Sequence, residues 1–418
     1  MMIYLQNTTF VDWKSLRIRR GHLEVSPGPA GKARFVSRIP RGAKTLYCSD
    51  RLVTKSFVNA HHHLYSALAC GMPGPSRAPK NFPDMLKLVW WNLDRQLDKE
   101  MVRCCALAGG IAAAKAGTTF IIDHHCSPNA VSGSLDIIAS ALDEIGLSHL
   151  LCVELSDRDG KAKREAGYAE SDRYLRRRQA LVGLHASFTV GDDLLDRAAA
   201  LARRHKTGIH LHVAEAVDDE KDCARKHGMR VMERLSAAGA LTSSKTLLVH
   251  GLHLTAKERS IFRSSPAWLV QNEESNQNNA VGEFDPAGLG DRLLLGTDGM
   301  NGDMIGSTRA AYLAAQSRGG MTPLAAYRRL RRAHDYLALN GFSGDGGNNL
   351  VVLDYAPATP VTAHNLAGHF IYGMNSSQVE HVISNGRLIV KNRRMTTVDE
   401  DEILRGAVRQ AERLWRRL

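Results

Sequence analysis

The chain has 418 residues, of which 44% are hydrophobic and 23% charged, so the size of a hydrophobic core is not limiting. No apolar run approaches the roughly 18 residues that a membrane-spanning helix needs. The first residues, MMIYLQNTTFVDWK, also lack the pattern of a signal peptide. Together these features predict a cytosolic (cytoplasmic) globular protein with no membrane partner.

The cysteines and the positive charge exclude further classes of protein. The seven cysteines include no CxxC pair, which argues against a disulfide framework and against a zinc ribbon. The net charge of +12 raises nucleic acid as a partner. However, the densest basic clusters, RYLRRRQA, YRRLRRAH and ERLWRRL, have the pattern of solvent-exposed helix faces. No zinc finger or RNP-type motif accompanies them, so we do not expect nucleic acid to be the partner.

Short β-rich strings alternate with helical stretches through residues 56–299. In chain order the eight strings are SFVNA, TTFIID, LSHLLCVEL, ALVGLHA, TGIHLHVAE, KTLLVHG, AWLVQN and RLLLGTDG. Eight alternations over about 250 residues predict an α/β fold, a (β/α)₈ barrel of the TIM type, rather than an open doubly wound sheet. No glycine-rich phosphate-binding loop follows any string, so no nucleotide-phosphate site is predicted.

The two ends of the chain have the pattern of a second, smaller unit. Residues 1–55 and 345–398 hold short strands and turns, and SNGRL in the second range is a hairpin signal. We predict that these ends pair into one small β-sandwich domain beside a barrel of residues 56–344. Residues 399–418 predict a C-terminal helix, with acids at its start and arginines at its end, as the helix dipole favours.

Ionisable side chains stand where several of the predicted barrel strands end. They are His61, His62 and His63 on strand one, His210, His212 and Glu215 on strand five, His250 on strand six and Asp298 on strand eight. In a (β/α)₈ barrel the carboxyl ends of the strands meet at one mouth, where active sites lie. The sequence therefore predicts a site at this mouth.

Strand geometry separates the three adjacent histidines. Residues i and i+2 point to the same side of a strand, so His61 and His63 can bind one ion while His62 points away. With His212 and Asp298 they make a set of three imidazoles and one carboxylate. This set suits one divalent ion, zinc or ferrous iron.

Two histidines of HLHVAE compete for the same place in that set. His210 and His212 lie on one strand face, and their spacing alone does not choose between them. His210 lies deeper in the strand, where a packed or supporting role is favoured. His212 is nearer the mouth and closer to Glu215, so we predict that His212 is the ligand.

The motifs resemble those of a known family. NAHHH, HLHVAE, LLVHG and LGTDG, in this order, are similar to motifs of the amidohydrolase superfamily. GLHASFTV and NEESNQNNAVG resemble its one-metal cytosine/guanine deaminase, S-adenosylhomocysteine deaminase and chlorohydrolase branch. PKNFPDMLKLVWWNLDRQLD, DHHCSPNAVSGSLD and LDYAPATPVTAHNLAGHFIYG look most like the SsnA group of aminohydrolases. The resemblance spans nearly the whole chain, from Phe57 to Val390.

The resemblance implies a role for each candidate side chain. The metal ligands would be His61, His63, His212 and Asp298. Asp298 would also take a proton from the water that the metal activates, and Glu215 would carry that proton to a ring nitrogen of the substrate. His250 would hold the nucleophile and stabilise the developing oxyanion. His185, in GLHAS, would contact the substrate.

Elementary chemistry agrees with these roles. A divalent ion lowers the pKa of water to about 7, a carboxylate can protonate the ring nitrogen, and an imidazole can stabilise the oxyanion. We predict a hydrolase that uses one divalent metal, zinc before ferrous iron, to cleave a C–N bond of a nitrogen heterocycle. Deamination is the leading reaction, and the resemblance favours a purine- or pterin-like ring. Opening of a cyclic amide, or cleavage of a C–Cl bond, is the alternative at the same centre. A nucleic-acid-binding or scaffold protein on a retired barrel is the non-enzyme alternative.

Other polar and aromatic residues near the strand ends are less specific. Asp123, His124 and His125 could support the metal ligands or face a dimer partner. Trp90 and Trp91 could stack on a flat ring or pack in the core. We also expect a homo-oligomer. The loop after strand seven should be shaped by polar residues that do not react, Asn272, Ser275, Asn276 and Asn279.

Overall fold

The computed structural model describes residues 2–418. Its strands are β1 (Ile3–Val11), β2 (Ile18–Val25), β3 (Ala33–Val36), β4 (Thr45–Tyr47), β5 (Leu52–Lys55), β6 (Phe57–His62), β7 (Thr118–His125), β8 (Ser148–Leu155), β9 (Val182–Ala186), β10 (Ile209–Val213), β11 (Leu247–His250), β12 (Trp268–Gln271), β13 (Leu293–Leu295), β14 (Leu350–Leu353), β15 (Val379–Ser384), β16 (Arg387–Lys391) and β17 (Arg394–Met395).

The α-helices are α1 (Phe82–Met85), α2 (Trp91–Gln96), α3 (Lys99–Lys115), α4 (Ser134–Ile145), α5 (Lys161–Leu175), α6 (Asp192–Arg204), α7 (Val217–His227), α8 (Val231–Ala237), α9 (Ala256–Ser264), α10 (Glu273–Asn278), α11 (Met304–Gln316), α12 (Pro323–Leu339), α13 (Leu366–Tyr372) and α14 (Glu400–Trp415). A π-helical turn, Leu86–Trp90, joins α1 to α2. Within residues 2–418, no helix combines the length and apolar character needed to cross a membrane.

The eight strands β6 to β13 form one sheet in which each strand pairs with the next one along the chain. The sheet closes where its last strand meets its first. There the N–H groups of Thr297 and Asp298 donate to the carbonyl of His61 at 2.9 and 3.1 Å. The N–H group of His63 donates in return to the carbonyl of Asp298 at 3.1 Å. The predicted (β/α)₈ barrel is confirmed, and each of the eight predicted strings overlaps one of its strands.

Two layers of apolar side chains hold the barrel together. Alternate strand residues point to opposite sides of the sheet. Val58, Phe120, Leu150 and Leu294 belong to an inner buried cluster, to which α12 contributes Tyr336. The intervening strand residues pack outward against the helices in a larger cluster. The catalytic end of such a barrel is the mouth formed by the carboxyl ends of the strands.

The remaining nine strands form a second sheet from both ends of the chain. Its order is β17-β16-β15-β14-β5-β1-β2-β3, with β4 beside β1. The two ends meet where β14 runs antiparallel to β5, Leu350 opposite Lys55. The SNGRL signal marks the turn between β15 and β16, where Asn385 and Gly386 both have positive φ, 48° and 73°. This is the conformation of a two-residue type I′ hairpin.

β5, which ends at Lys55, belongs to the second sheet, whereas β6, which begins at Phe57, belongs to the barrel. The chain returns to the second sheet with β14, which begins at Leu350. The division of the chain into domains at residues 56, 345 and 399 stays a prediction, which these changes and the position of α14 support. A buried ion pair lies where the two sheets meet: Lys55 Nζ is 2.7 Å from Asp345 Oδ1. His334 of α12 contacts the other oxygen of Asp345 at 2.7 Å.

Candidate active site

Four of the predicted side chains converge inside the mouth of the barrel. One ligand atom from each of His61, His63, His212 and Asp298 lies within 4.8 Å of the others. His63 Nε2 is 3.2 Å from His212 Nε2 and 2.9 Å from Asp298 Oδ1, and His61 Nε2 is 3.3 Å from the same oxygen. All four residues are buried. Three imidazole nitrogens and one carboxylate at this spacing could hold a single divalent ion.

The hydrogen bonds behind the imidazoles turn the Nε2 atoms toward this common point. His63 Nδ1 is 2.6 Å from the carbonyl oxygen of His124, and His212 Nδ1 is 2.9 Å from that of His185. A carbonyl oxygen can only accept, so each Nδ1 carries a hydrogen, and in the neutral imidazole Nε2 is then the atom with the lone pair. Such outer contacts are typical of metal-binding histidines.

The carboxylate of the set is held by a residue of α10, the short helix that follows β12. Ser275 donates its hydroxyl hydrogen to Asp298 Oδ2 at 2.5 Å, while Asp298 Oδ1 faces the histidines. The backbone of Asp298 is left-handed, with φ 54°, and so is that of His250, with φ 73°. Residues with a Cβ rarely adopt this conformation, and such strain tends to occur at functional sites.

Glu215 and His250 lie on the open side of the four-residue group. His250 Nε2 is 3.6 Å from Glu215 Oε2 and 3.8 Å from Asp298 Oδ2. His250 Nδ1 is 2.8 Å from the side-chain oxygen of Asn276, which fixes the imidazole plane. Burial raises the pKa of Glu215 well above its usual range, the charges of Asp298 and Asp219 raise it further, and Asn279 opposes them. A carboxyl group whose pKa is raised holds a proton more readily than an ordinary carboxylate, as a general acid requires.

A cleft with about 600 Å³ of empty space opens above these groups. His185 lies in its wall, with its Nδ1 2.6 Å from the hydroxyl of Thr189. Trp90 and Trp91 also line it, so both indoles border the cleft, and Trp91 packs edge-on against His185 at 6.0 Å. The other lining residues are His63, Tyr65, Phe82, Leu86, Asp94, Glu154, His212, Glu215, Ser275, Asn278, Asn279, Asp298, Gly299 and Met300.

His62 and His210 lie outside the four-residue group. His62 Nδ1 faces the backbone carbonyl of Asp298 at 2.8 Å, away from the shared point. His210 lies behind His61, with Nε2 2.9 Å from His61 Nδ1. Of the two histidines on the fifth strand, the structure therefore brings His212 to the group and leaves His210 as a neighbour of a group member.

The polar run at the end of the second strand is buried, which corrects one expectation. Asp123, His124 and His125 are at most 1% exposed, so they cannot face a dimer partner. Asp123 Oδ1 accepts the N–H of Leu64 at 2.7 Å, and the carbonyl of His124 accepts from His63. These contacts fix the backbone and the imidazole beside the candidate ligands.

The segment after β12, which contains α10, contacts the predicted site directly. Ser275 contacts Asp298 and Asn276 contacts His250, while a hydrogen bond from Asn279 lowers the pKa of Glu215. The side-chain NH₂ of Asn272, in contrast, is 3.5 Å from the carbonyl of Val270 and only supports the strand end. Three of the four residues expected only to shape the loop therefore bear on the predicted site.

Sequence reasoning missed two buried acids in the cleft, Asp94 and Glu154. Glu154 ends an apolar strand, LLCVEL, just as Asp298 follows one, so the rule that found Asp298 could have found it. Asp94 belongs to α2, in the helical stretch WWNLDRQ, and had no comparable signal.

The sequence of the chain is similar to those of known proteins. Residues 52–329 match the model of the Amidohydrolase family. A 5′-deoxyadenosine deaminase of Methanopyrus kandleri is 28% identical over 389 residues, which cover 87% of this chain and 86% of that protein.

Solved structures show the same fold over the whole chain. An adenosine deaminase from Xanthomonas campestris with bound zinc superposes with a TM-score of 0.82 at 21% identity, covering 100% of this chain and 98% of that one. An atrazine chlorohydrolase from Arthrobacter aurescens complexed with zinc gives 0.81 at 17% identity, covering 98% and 100%.

Proposed function

The chain belongs to the amidohydrolase family, and from this membership we propose that it is a metal-dependent aminohydrolase. Its reaction would cleave a C–N bond to an amino group on a purine- or pterin-like ring. The observation that carries the proposal is the group His61, His63, His212 and Asp298 with Glu215 and His250 on its open side. The 28% identity to a 5′-deoxyadenosine deaminase supports deamination as the reaction.

We propose zinc as the ion, because three imidazoles and one carboxylate are donors that zinc accepts. Ferrous iron suits the same donors. Both solved structures named above carry zinc, which supports the choice. When bound, a divalent ion acts as a Lewis acid and lowers the pKa of water to about 7, so that a nucleophile is available at neutral pH.

Proton transfer falls to the side chains around this group. Asp298 would accept the proton lost by the nucleophile, with Ser275 holding its second oxygen in place. Glu215 would pass a proton to the ring nitrogen next to the reacting carbon, which takes up the electron pair that moves to this nitrogen when attack on the carbon breaks the ring conjugation. His250, oriented by Asn276, would stabilise the oxygen that gains negative charge. His185 and the two indoles would hold the ring in the cleft.

Hydrolysis of a C–Cl bond or of a cyclic amide needs the same proton transfers, because the leaving group belongs to the substrate. The chlorohydrolase shares the fold, whereas the deaminase relative also shares 28% of the aligned sequence. We therefore rank deamination first.

Ammonia release tests the proposal. Purified protein with its metal content measured would be incubated with purine, pterin and pyrimidine libraries, and ammonia would be quantified. We expect stoichiometric metal and turnover of at least one purine- or pterin-like compound. Ring-opened product or chloride without ammonia would replace deamination by an alternative. Protein that holds no metal and binds DNA in a salt-dependent manner would favour the non-enzyme reading.

A homo-oligomer stays a prediction of ours. Leu404 and Val408, one turn apart on α14, are 41% and 59% exposed, which is consistent with a covered apolar face. Light scattering on the purified chain measures the mass of the assembly directly.

A further inference from the structure

The mouth of the barrel has two walls, and in the second wall the proposed function uses only side chains that hold the ring. The ion-binding and proton-transfer groups stand at the ends of the barrel strands β6, β10, β11 and β13. The opposite wall is formed by β8, β9 and α2, with Glu154, His185, Trp91 and Asp94. This second wall contains two buried carboxylates to which the mechanism assigns no step.

Glu154 is a buried carboxylate with weak contacts. Its side chain is 4% exposed, at the carboxyl end of β8. Oε1 is 3.5 Å from the thiol of Cys126 and 3.5 Å from Arg158 Nη2, and Oε2 is 3.8 Å from His124 Nδ1. Within residues 2–418, the long contact from the Cys126 thiol is the only hydrogen bond to the Glu154 carboxylate. An ionised carboxylate can accept about four.

The neighbouring Asp94 also keeps an acceptor free. Its Oδ2 takes the close contact from Arg158 Nη2 at 2.5 Å, but its buried Oδ1 has no partner among the described residues. One guanidinium thus serves two cleft carboxylates. Arg158 is itself fixed, because it lies 5.2 Å from the centre of the Trp91 ring and 3.3 Å from Asp159.

Buried acceptors without partners cost free energy unless something hydrogen-bonds to them. Here the unsatisfied acceptors line the same cleft as His63, His212 and Glu215. A substrate whose ring lies over that group would bring its far side toward this wall. The wall offers acceptors, so the matching chemistry on the substrate is an N–H or O–H donor.

We propose that Glu154 is a substrate-binding residue that accepts a hydrogen bond from an N–H or O–H group of the substrate, remote from the carbon that reacts. The inference rests on the proposed function, because it places the substrate in the same cleft. Two kinds of substrate carry such a donor: a nucleoside through its sugar hydroxyls, and a base through a second ring amino group. Glu154 sets the preference for substrates with the donor over those without it.

The test compares wild type and Glu154→Gln on substrates that carry or lack the N–H or O–H donor. Adenosine is compared with 9-methyladenine, which lacks every sugar hydroxyl, and with 2,6-diaminopurine riboside, which has one more ring amino group. If Glu154 contacts the sugar, Glu154→Gln lowers kcat/KM for adenosine roughly 10-fold, mainly through KM, and leaves 9-methyladenine unchanged. If it contacts the ring amine, the loss is larger for 2,6-diaminopurine riboside than for adenosine.

A matched control is Asp159→Asn, which removes an acid that contacts the same arginine but does not line the cleft. It should leave the substrate preference unchanged. An equal loss on all three substrates in Glu154→Gln, or no loss, would overturn the role of Glu154. Wild-type protein that releases ammonia from none of these three compounds and from no other member of the purine and pterin libraries would instead contradict the proposed function itself.

Discussion

His61 Nδ1 lies 2.9 Å from His210 Nε2, and His210 Nδ1 lies 3.6 Å from the sulfur of Cys152. For His61 to present Nε2 to an ion, its Nδ1 must carry the hydrogen and donate it to His210. His210 Nε2 is then the acceptor, and His210 Nδ1–H donates to the sulfur. The Cys152 thiol in turn donates to the carbonyl of Asp123 at 3.6 Å. Each group can therefore donate to the next, from His61 to His210, from His210 to Cys152 and from Cys152 to the carbonyl.

From this relationship we expect His210→Ala to weaken metal binding without removing a ligand. Loss of a supporting partner of this kind costs roughly 10- to 100-fold in metal affinity. Competition with a chromogenic zinc chelator measures the change. The matched control is His381→Ala, a buried histidine of β15 in the second sheet that accepts the N–H of Asn392. Wild-type affinity in His210→Ala would show that His61 is oriented without His210.

His63→Ala should remove the ion and lower thermal stability together. The variant leaves three of the four donors, and the binding free energy of the ion contributes to the stability of the folded protein. Metal content and Tm are measured on protein purified with zinc present. We expect added zinc to raise the Tm of the wild type and not that of the variant. A variant that retains one zinc per chain would show that His63 is not a ligand.

Glu215→Gln should separate catalysis from metal binding. The amide keeps the size of the side chain but cannot carry the proton, and general acid–base catalysis contributes roughly 10²- to 10⁴-fold. We expect kcat to fall by that factor while metal content stays near the wild-type value. If the metal is lost as well, Glu215 has been assigned the wrong role.

The barrel and most of the site followed from one rule, that side chains at the carboxyl ends of parallel strands meet. The rule placed His61, His63, His212 and Asp298 together because each stands at or just after an apolar string. The same rule applied to acids would have included Glu154. Clustered imidazoles are the more unusual pattern in a sequence, so a single acid near a strand end is the weaker signal.

The orientation of the first pair could not be predicted from strand geometry alone. Val58 and Ala60 point into the inner cluster, so strict alternation would turn His62, rather than His61 and His63, to the centre. The register of β6 against β7 shifts between Asn59 and His62, and this irregularity reverses the alternation. Such a bulge depends on the neighbouring strand, which the local sequence does not describe. The contacts of Ser275 and Asn276 also depend on tertiary structure, because they join α10 to residues at the ends of two other strands.

Stability should depend on pH through Asp345, which joins Lys55 of β5 to His334 of α12. Burial by itself raises the pKa of Asp345, but the contacts with His334 and Lys55 lower it below the usual value. Because the folded-state pKa is depressed, the contribution of Asp345 is fully present above its unfolded pKa, about 3.9. That contribution is lost as the pH falls through the lower folded value.

Asp345→Asn should therefore lower the free energy of unfolding by about 3–5 kcal/mol at pH 7, because Lys55 stays buried without its counter-charge. Urea unfolding of wild type and variant at pH 7, 5 and 3 measures the difference, which should be smaller at pH 3 than at pH 5. Asp335→Asn is the control, since Asp335 lies on α12 but pairs with Lys14 at the surface, where such pairs contribute at most about 1 kcal/mol. A difference that stayed the same down to pH 3 would mean that Asp345 acts through packing rather than through its charge.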